Sequence, residues 1–333
     1  MVTVGLLIIL LYTTAFVKDK SIKTFYIRGL AQGTTYHITY YASDSIISKR
    51  SVDSALTSID SSLSLYKPYS LINQFNASAR GIAIDNKMRD VIKKSISVYK
   101  LTSGIFDITI KPLVDVWGFG VKPVTSFPDS ISVQKIMNCV GTKNIYLKGD
   151  SLIKRKPCIT IDLNGIAQGY SVDLLASLLQ AKGIQNYLVE IGGEIFVKGV
   201  KQPGGNNFIV GIEAPSPHSF SEAVLQKTVT LKNGALTTSG NYRKYRENGA
   251  KKISHLIDAR TGYPIDNEII SVTVWSRDAI TADGYDNALM GMGLKKAKRF
   301  VERQKQLEAY FIYKREDGSV GDTATAGFYK FMN

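Results

Sequence analysis

The order in which strand-like and helix-like segments follow one another constrains this chain most. Residues 34–43, TTYHITYYAS, alternate and carry β-formers, so they predict a strand. Residues 51–66 place Val52, Leu56, Ile59 and Leu63 at helical spacing, and residues 85–104 repeat an amphipathic pattern with an Asp start and a Gly stop. CITIDL reads as a strand that runs into a helix over residues 166–182, and YLVEIGGEIFVKG as two strands joined at Gly192 and Gly193. Further strands are predicted at 207–212, 227–231, 269–275 and 309–313, with a helix over 282–292. The run KKAKRFVERQKQ, residues 295–306, reads as the solvated face of a helix. Strands and helices mix without a clean βαβ rhythm, which predicts an α+β domain over a doubly wound parallel sheet. No internal repeat, low-complexity linker, GxGxxG or Walker pattern occurs.

A chain of 333 residues can bury one large core or two modest ones, and 44% hydrophobic with 21% charged residues excludes a disordered, fibrous or polytopic protein. The net charge of +14 favours anionic partners. There is no zinc-finger spacing and no basic-aromatic interleaving, so nucleic acid is not an expected partner. Cys139 and Cys158 do not make a disulfide framework; two free, partly buried thiols are expected over a single bridge. Residues 2–17 carry no charge, end near small residues and are followed by KDK. They suit the apolar part of a signal peptide, cleaved or kept as an anchor, and predict export.

Four stretches could carry chemistry. In IDLNGIAQGY, residues 161–170, a strand ends at Asp162 and a helix begins near Gly165. Helix N-terminal amides attract anions, and Gly165 and Gly169 would let a ligand approach the backbone; a capped strand-to-helix turn would use the same residues. In DAITADGYDNALMGMG, residues 278–293, Asp283 and Asn287 share a helix face, with Asp286 beside Asn287. Such oxygen donors suit a hard cation such as Mg²⁺, and a first-turn acid favoured by the helix dipole is the plain alternative. In SGIFDITIKPLVDVWGFG, Phe106, Trp117 and Phe119 sit among glycines, where they line a flat ring system or plug a core. HLIDARTGYP packs His255, Asp258 and Arg260 ahead of a turn at Thr261 and Gly262. It forms a wall for a phosphorylated ligand, or the polar end of a strand with a satisfied His255. His37, in a strand pattern, and His218, in a Pro-Ser loop, draw no site hypothesis.

Each signal is weak alone, but their order is specific. QGTTYHITY, LYKPYSLINQFN, SGIFDITIKPLVDVWGFG, IDLNGIAQGYSVDLL, YLVEIGGEIFVKG, TTSGNYRKY, HLIDARTGYP and TADGYDNALMGMG follow one another as in the ApbE family of FAD:protein FMN transferases. The chain resembles that family across residues 29–311. The resemblance implies a single large mixed α/β domain of the T-fold-like type over residues 21–333, behind a leader at 1–20. It implies FAD as substrate, Mg²⁺ on its pyrophosphate, and FMN attached through its phosphate to a threonine or serine hydroxyl of an exported acceptor, such as a flavoprotein subunit of a membrane redox complex. AMP would leave, and the site would face the periplasm. By motif, the metal donors would be the Gly165 carbonyl, Asp283 and the side chain of Asn287, where the family often has threonine, with Asp286 as a substitute. FAD contacts would be Gln32, where methionine is usual, then Tyr66, Ile105, Phe106, Asp107 and Asp162. Gln168, where lysine or glutamate is common, and Ile257 complete the set. His255 matches the histidine proposed as the base, and Asp283 is the second catalytic candidate. Asp258, Arg260 and Thr261 would hold the loop. An FAD pyrophosphatase giving FMN and AMP would use the same residues. A non-catalytic flavin-binding protein is disfavoured by the intact Asp283, Gly165 and His255.

Overall fold

The computed structural model describes residues 21–215, 225–242, 245–248 and 251–333; the predicted leader and His218 lie outside them. Two strands, β1 (Lys23–Ala31) and β2 (Thr34–Ala42), lead into α1 (Lys49–Leu63), α2 (Leu71–Ala77), the short β3 (Gly81–Ala83) and α3 (Asn86–Leu101). Then come α4 (Lys111–Val116), α5 (Ser130–Met137), β4 (Ile145–Lys148), β5 (Ser151–Lys154) and α6 (Ala167–Ala181). Five strands follow: β6 (Tyr187–Ile191), β7 (Glu194–Lys198), β8 (Phe208–Glu213), β9 (Leu225–Leu231) and β10 (Asn233–Gly240). The chain continues with β11 (Tyr245–Asn248), β12 (Lys251–Ser254), β13 (Ile269–Ser276), α7 (Ala279–Met292), α8 (Leu294–Glu302), β14 (Leu307–Lys314) and β15 (Val320–Ala324). Among the described residues no helix is long and apolar enough to cross a membrane.

The α+β expectation holds. Eight strands form one sheet in the order β1-β2-β6-β7-β10-β13-β14-β15, and every neighbouring pair is antiparallel. Its two faces follow from the two-residue period of a strand. From β14, Leu307, Ala309 and Phe311 enter the core beneath α1, α3, α6 and α7, while Tyr310 and Ile312 enter a second core on the other face, under β8 and β9. A third, smaller core gathers Leu113 and Trp117 with Val133, Ile253 and Ile257 beside the main body. Trp117 is therefore a core plug, and its indole N–H donates to the Gly262 carbonyl (2.9 Å).

Two expectations are corrected. Residues 158–163 form no strand, although Ile159, Ile161 and Leu163 alternate inward as the pattern implied. The backbone of Ile161 is satisfied by one side chain: its N–H donates to Asn76 Oδ1 (2.7 Å) and its carbonyl accepts from Asn76 Nδ2 (2.9 Å). A side-chain amide thus replaces a neighbouring strand, and a periodicity argument cannot see that. The cysteines are not free thiols: Cys139 and Cys158 are disulfide-bonded across a Cα–Cα distance of 5.6 Å. Their sequence separation gave no hint of this, because the turn after α5 and the β4–β5 hairpin bring them together.

The bridge spans a sequence separation of 19. Its loss is expected to lower stability by about 3 kcal/mol through chain entropy in the unfolded state. Urea unfolding of the Cys139→Ser/Cys158→Ser variant against the oxidised parent measures this, and an unchanged midpoint would show that the bridge constrains little.

Candidate active site

One cleft of about 320 Å³ collects the residues expected to touch FAD. Gln32, Tyr66, Ile105, Phe106, Asp107, Asp162, Gln168 and Ile257 all line it, together with His255, Gly165 and Asn287. The elements explain how. Gln32 and Gly33 form a two-residue hairpin turn with φ of 54° and 77°, so β1 and β2 deliver Gln32 to the cleft edge. There its amide donates to Ser171 on α6 (2.8 Å). Tyr66 stands exposed at the mouth. Phe106 and Phe119 flank one wall, and Phe119 meets the His255 ring edge-on at 6.2 Å between centroids. A larger concavity, about 1010 Å³ and lined by Trp117, Phe127 and Tyr242, lies beside it but collects none of the carboxylates described below.

Several of these residues do structural work inside the wall. Asp107 is buried, and its carboxylate accepts from the N–H and hydroxyl of both Thr109 and Thr142, within 2.6–2.9 Å. Three of these bonds end on Oδ1 and one on Oδ2, so Asp107 ties the loop together while it lines the cleft. The Gln168 amide donates to the Ile191 carbonyl (2.8 Å) and to Glu194 (2.6 Å), which ties it to the β6–β7 turn. Burial pushes the Asp162 carboxyl upward in pKa, against the bond it accepts from Asn164 N–H (2.8 Å). In the 255–264 loop, Arg260 grips Asp258 through Nε (2.9 Å) and Nη2 (2.7 Å). Burial works to raise the Asp258 carboxyl, but this pair outweighs it and holds the group below the ordinary carboxylate range. Gly262, at φ 83°, packs so closely that a Cβ there would lie 2.6 Å from Val133. Asp258, Arg260 and Thr261 therefore brace the loop that presents His255.

The anion-site reading of the α6 N-terminus needs revision. The N–H groups of Ile166 and Ala167 are taken by the Leu163 carbonyl, and Gly169 N–H donates to Asp283 Oδ2 (2.7 Å). Gly169 does not admit a ligand. A Cβ at that position would lie 2.4 Å from the Ala279 carbonyl oxygen, so its bareness lets α6 and α7 touch backbone to backbone.

Beside the cleft, α7 carries Asp283, Asp286 and Asn287, and Asn287 reaches the Gly165 carbonyl. The Asn287 amide nitrogen sits between the Gly165 carbonyl (3.3 Å), the Asp283 carbonyl (3.3 Å) and Asp286 Oδ1 (2.9 Å). On β10, Thr237 donates to Asp286 (2.7 Å) and Ser239 to Asn287 Oδ1 (3.3 Å). No local pattern in the TTSG block marks Thr237 or Ser239 as the partner of a distant helix. Asp283 and Asp286 are buried, 4% and 1% exposed, and among the described residues neither pairs with a basic side chain. Burial pushes Asp283 up to about 7, against the Gly169 amide. Burial and then the neighbouring Asp283 push Asp286 well above the ordinary range. Oxygens drawn together around one N–H₂, beside two buried acids, form a donor set that fits a hard cation. Asn287 would then offer Oδ1 after an amide flip. No group of three or more His, Cys, Asp or Glu placed to hold a metal ion occurs among the described residues, so a carbonyl and an amide would have to contribute to such a set.

This burial has a measurable consequence. Asp283 shifts from 3.8 in the unfolded chain to about 7 in the folded one, so the folded state binds more protons between those values and loses stability as pH rises through that window. Metal-free Asp283→Asn, which keeps an oxygen for Gly169 N–H, is expected to melt above the parent at about pH 8 and to lose that advantage by about pH 4. Melting curves in a chelator test this; a constant difference across pH would contradict it.

The ApbE family pattern matches residues 32–311. A Vibrio cholerae relative named FAD:protein FMN transferase is 34% identical over 325 residues, 95% of each chain. An Escherichia coli K12 relative of the same name is 34% identical over 81% of this chain and 77% of its own. The solved flavin transferase ApbE from Vibrio cholerae has a TM-score of 0.83 at 33% identity, covering 93% of this chain and 100% of that one. The apo flavinyl transferase ApbE from Pseudomonas stutzeri has a TM-score of 0.83 at 32% identity, covering 93% and 97%. With most of its length matched in sequence and in structure, the chain belongs to the ApbE family.

Proposed function

We propose that this flavin transferase moves FMN from FAD onto a threonine or serine hydroxyl of an exported protein, with Mg²⁺ bound and AMP released. The observation that carries the reading is that Asn287 meets both the Gly165 carbonyl and Asp286, with the buried Asp283 one turn back on α7, at a cleft whose wall holds His255. Relatives named FAD:protein FMN transferase support it.

The apolar wall of Ile105, Phe106 and Ile257 suits a flat isoalloxazine, and the Gly165–Asn287 end suits its diphosphate. A cation held there supplies charge neutralisation to that diphosphate. His255 takes the proton from the acceptor hydroxyl as its oxygen bonds to the FMN phosphorus. The bond from that phosphorus to the bridging oxygen breaks, and AMP leaves with the oxygen. Phe119 and the Asp258–Arg260 brace set the imidazole in place. Gln168 brings no positive charge to the diphosphate, because its amide is held by the β6–β7 turn. Export is part of the proposal. The uncharged residues 2–17 motivate it, and the Cys139–Cys158 bridge is of the kind that persists in an oxidising compartment.

Mass spectrometry of an acceptor peptide incubated with FAD and Mg²⁺ tests transfer; FMN and AMP without peptide modification would point to the pyrophosphatase instead. Asp283→Ala is expected to abolish Mg²⁺-dependent transfer, and full activity would remove it from the metal role. Asn287→Thr is expected to retain activity; a loss above about tenfold, ~1.4 kcal/mol, would show that the amide is needed. His255→Ala is expected to lose about 10²–10⁴-fold in saturated turnover while still binding FAD. Weak FAD binding with normal turnover would make His255 a packing residue.

A further inference from the structure

The α6–α7 contact holds a carboxylate that the proposed reaction leaves unused. Asp173 on α6 accepts from the first two amides of α7, Ala279 N–H to Oδ1 (2.8 Å) and Ile280 N–H to Oδ2 (2.9 Å). The third amide, Thr281 N–H, goes to Asp278, the helix's own cap (2.9 Å). A local cap satisfies N-terminal amides from within the same segment. Here two of three are taken by another helix, so the bond is a tie between elements.

A second tie lies one turn along both helices, with the roles reversed. Gly169 N–H of α6 donates to Asp283 Oδ2 of α7 (2.7 Å). Positions 169 and 173 share a face of α6, and 279 and 283 share a face of α7. Two ties one turn apart resist both sliding and rotation. A slip of one residue would carry Asp283 about 1.5 Å along the axis, enough to take it out of range of a ligand.

We propose that Asp173 is a positioning residue: by holding the first two amides of α7 it sets the height and rotation at which Asp283, Asp286 and Asn287 meet the Gly165 carbonyl. The proposal rests on the reading of those groups as cation ligands. Asp173 does not line the cleft, so it acts through α7.

The test is direct binding of Mn²⁺ to the full chain, followed by loss of the free-ion EPR signal, alongside turnover with FAD and Mg²⁺. Asp173→Asn keeps one acceptor oxygen but turns an N–H₂ toward the other α7 amide. It is expected to weaken Mn²⁺ binding about tenfold or more and to raise the Mg²⁺ needed for half-maximal turnover in step, with the KM for FAD within about twofold of the parent. Mn²⁺ affinity within about twofold of the parent, whatever the melting temperature, overturns the proposal. Asp283→Ala separates the two readings. If it also binds Mn²⁺ like the parent, the cation site itself fails; if it loses Mn²⁺ while Asp173→Asn keeps it, only the positioning role fails. Should Asp173→Asn not fold, Asp173→Glu carries the same expectation, because it keeps the charge but displaces the carboxylate, and parent-like Mn²⁺ affinity again overturns the idea.

Discussion

A backbone amide of one helix bonded to a carboxylate of the next, Gly169 to Asp283 at 2.7 Å, is the contact on which the site depends. It requires that α6 and α7 approach without side chains between them, which Gly169 permits. That approach brings the Gly165 carbonyl, just ahead of α6, within reach of Asn287 on α7. The antiparallel sheet beneath supplies the third side, since β10 lies under α7 and lends Thr237 and Ser239 to the same cluster. Cores on both faces of the sheet keep that platform rigid.

The cost of the arrangement is electrostatic. Two acids held 4% and 1% exposed ionise reluctantly, and among the described residues their neighbours are N–H and O–H donors in place of a basic side chain. Hydrogen bonds compensate part of the lost hydration and leave the rest as an affinity for positive charge. The opposite balance holds at Asp258, where Arg260 supplies the counter-charge and the result is a brace. Asp258 thus differs in role from Asp283 and Asp286 because it has a cation beside it and, among the described residues, they do not.

Because the family blocks occur in order, the residues expected to contact FAD could be named before folding, and one cleft gathers them with His255, Gly165 and Asn287; Asp283 and Asp286 are not in its lining. Legibility failed where a role depends on a distant partner. Asp107 lines the cleft as expected, but no local pattern marks that its carboxylate also accepts from Thr109 and Thr142. Gly169 looked like a gap for a ligand and is a gap for a helix. Asp173 drew no notice, since an acid in a helix carries no local mark of what it will cap.

The sequence by itself determined the α+β class, the positions of most strands and helices, and the face shared by Asp283 and Asn287, because these follow from local periodicity, caps and turns. Only the tertiary structure decided that Asn76 replaces a strand for Ile161, that Cys139 meets Cys158, and that α6 and α7 clasp at two points. Each is a contact between segments far apart in the chain. Its energy comes from satisfying buried polar groups or closing a loop, and neither quantity exists until the rest of the fold has brought the partners together.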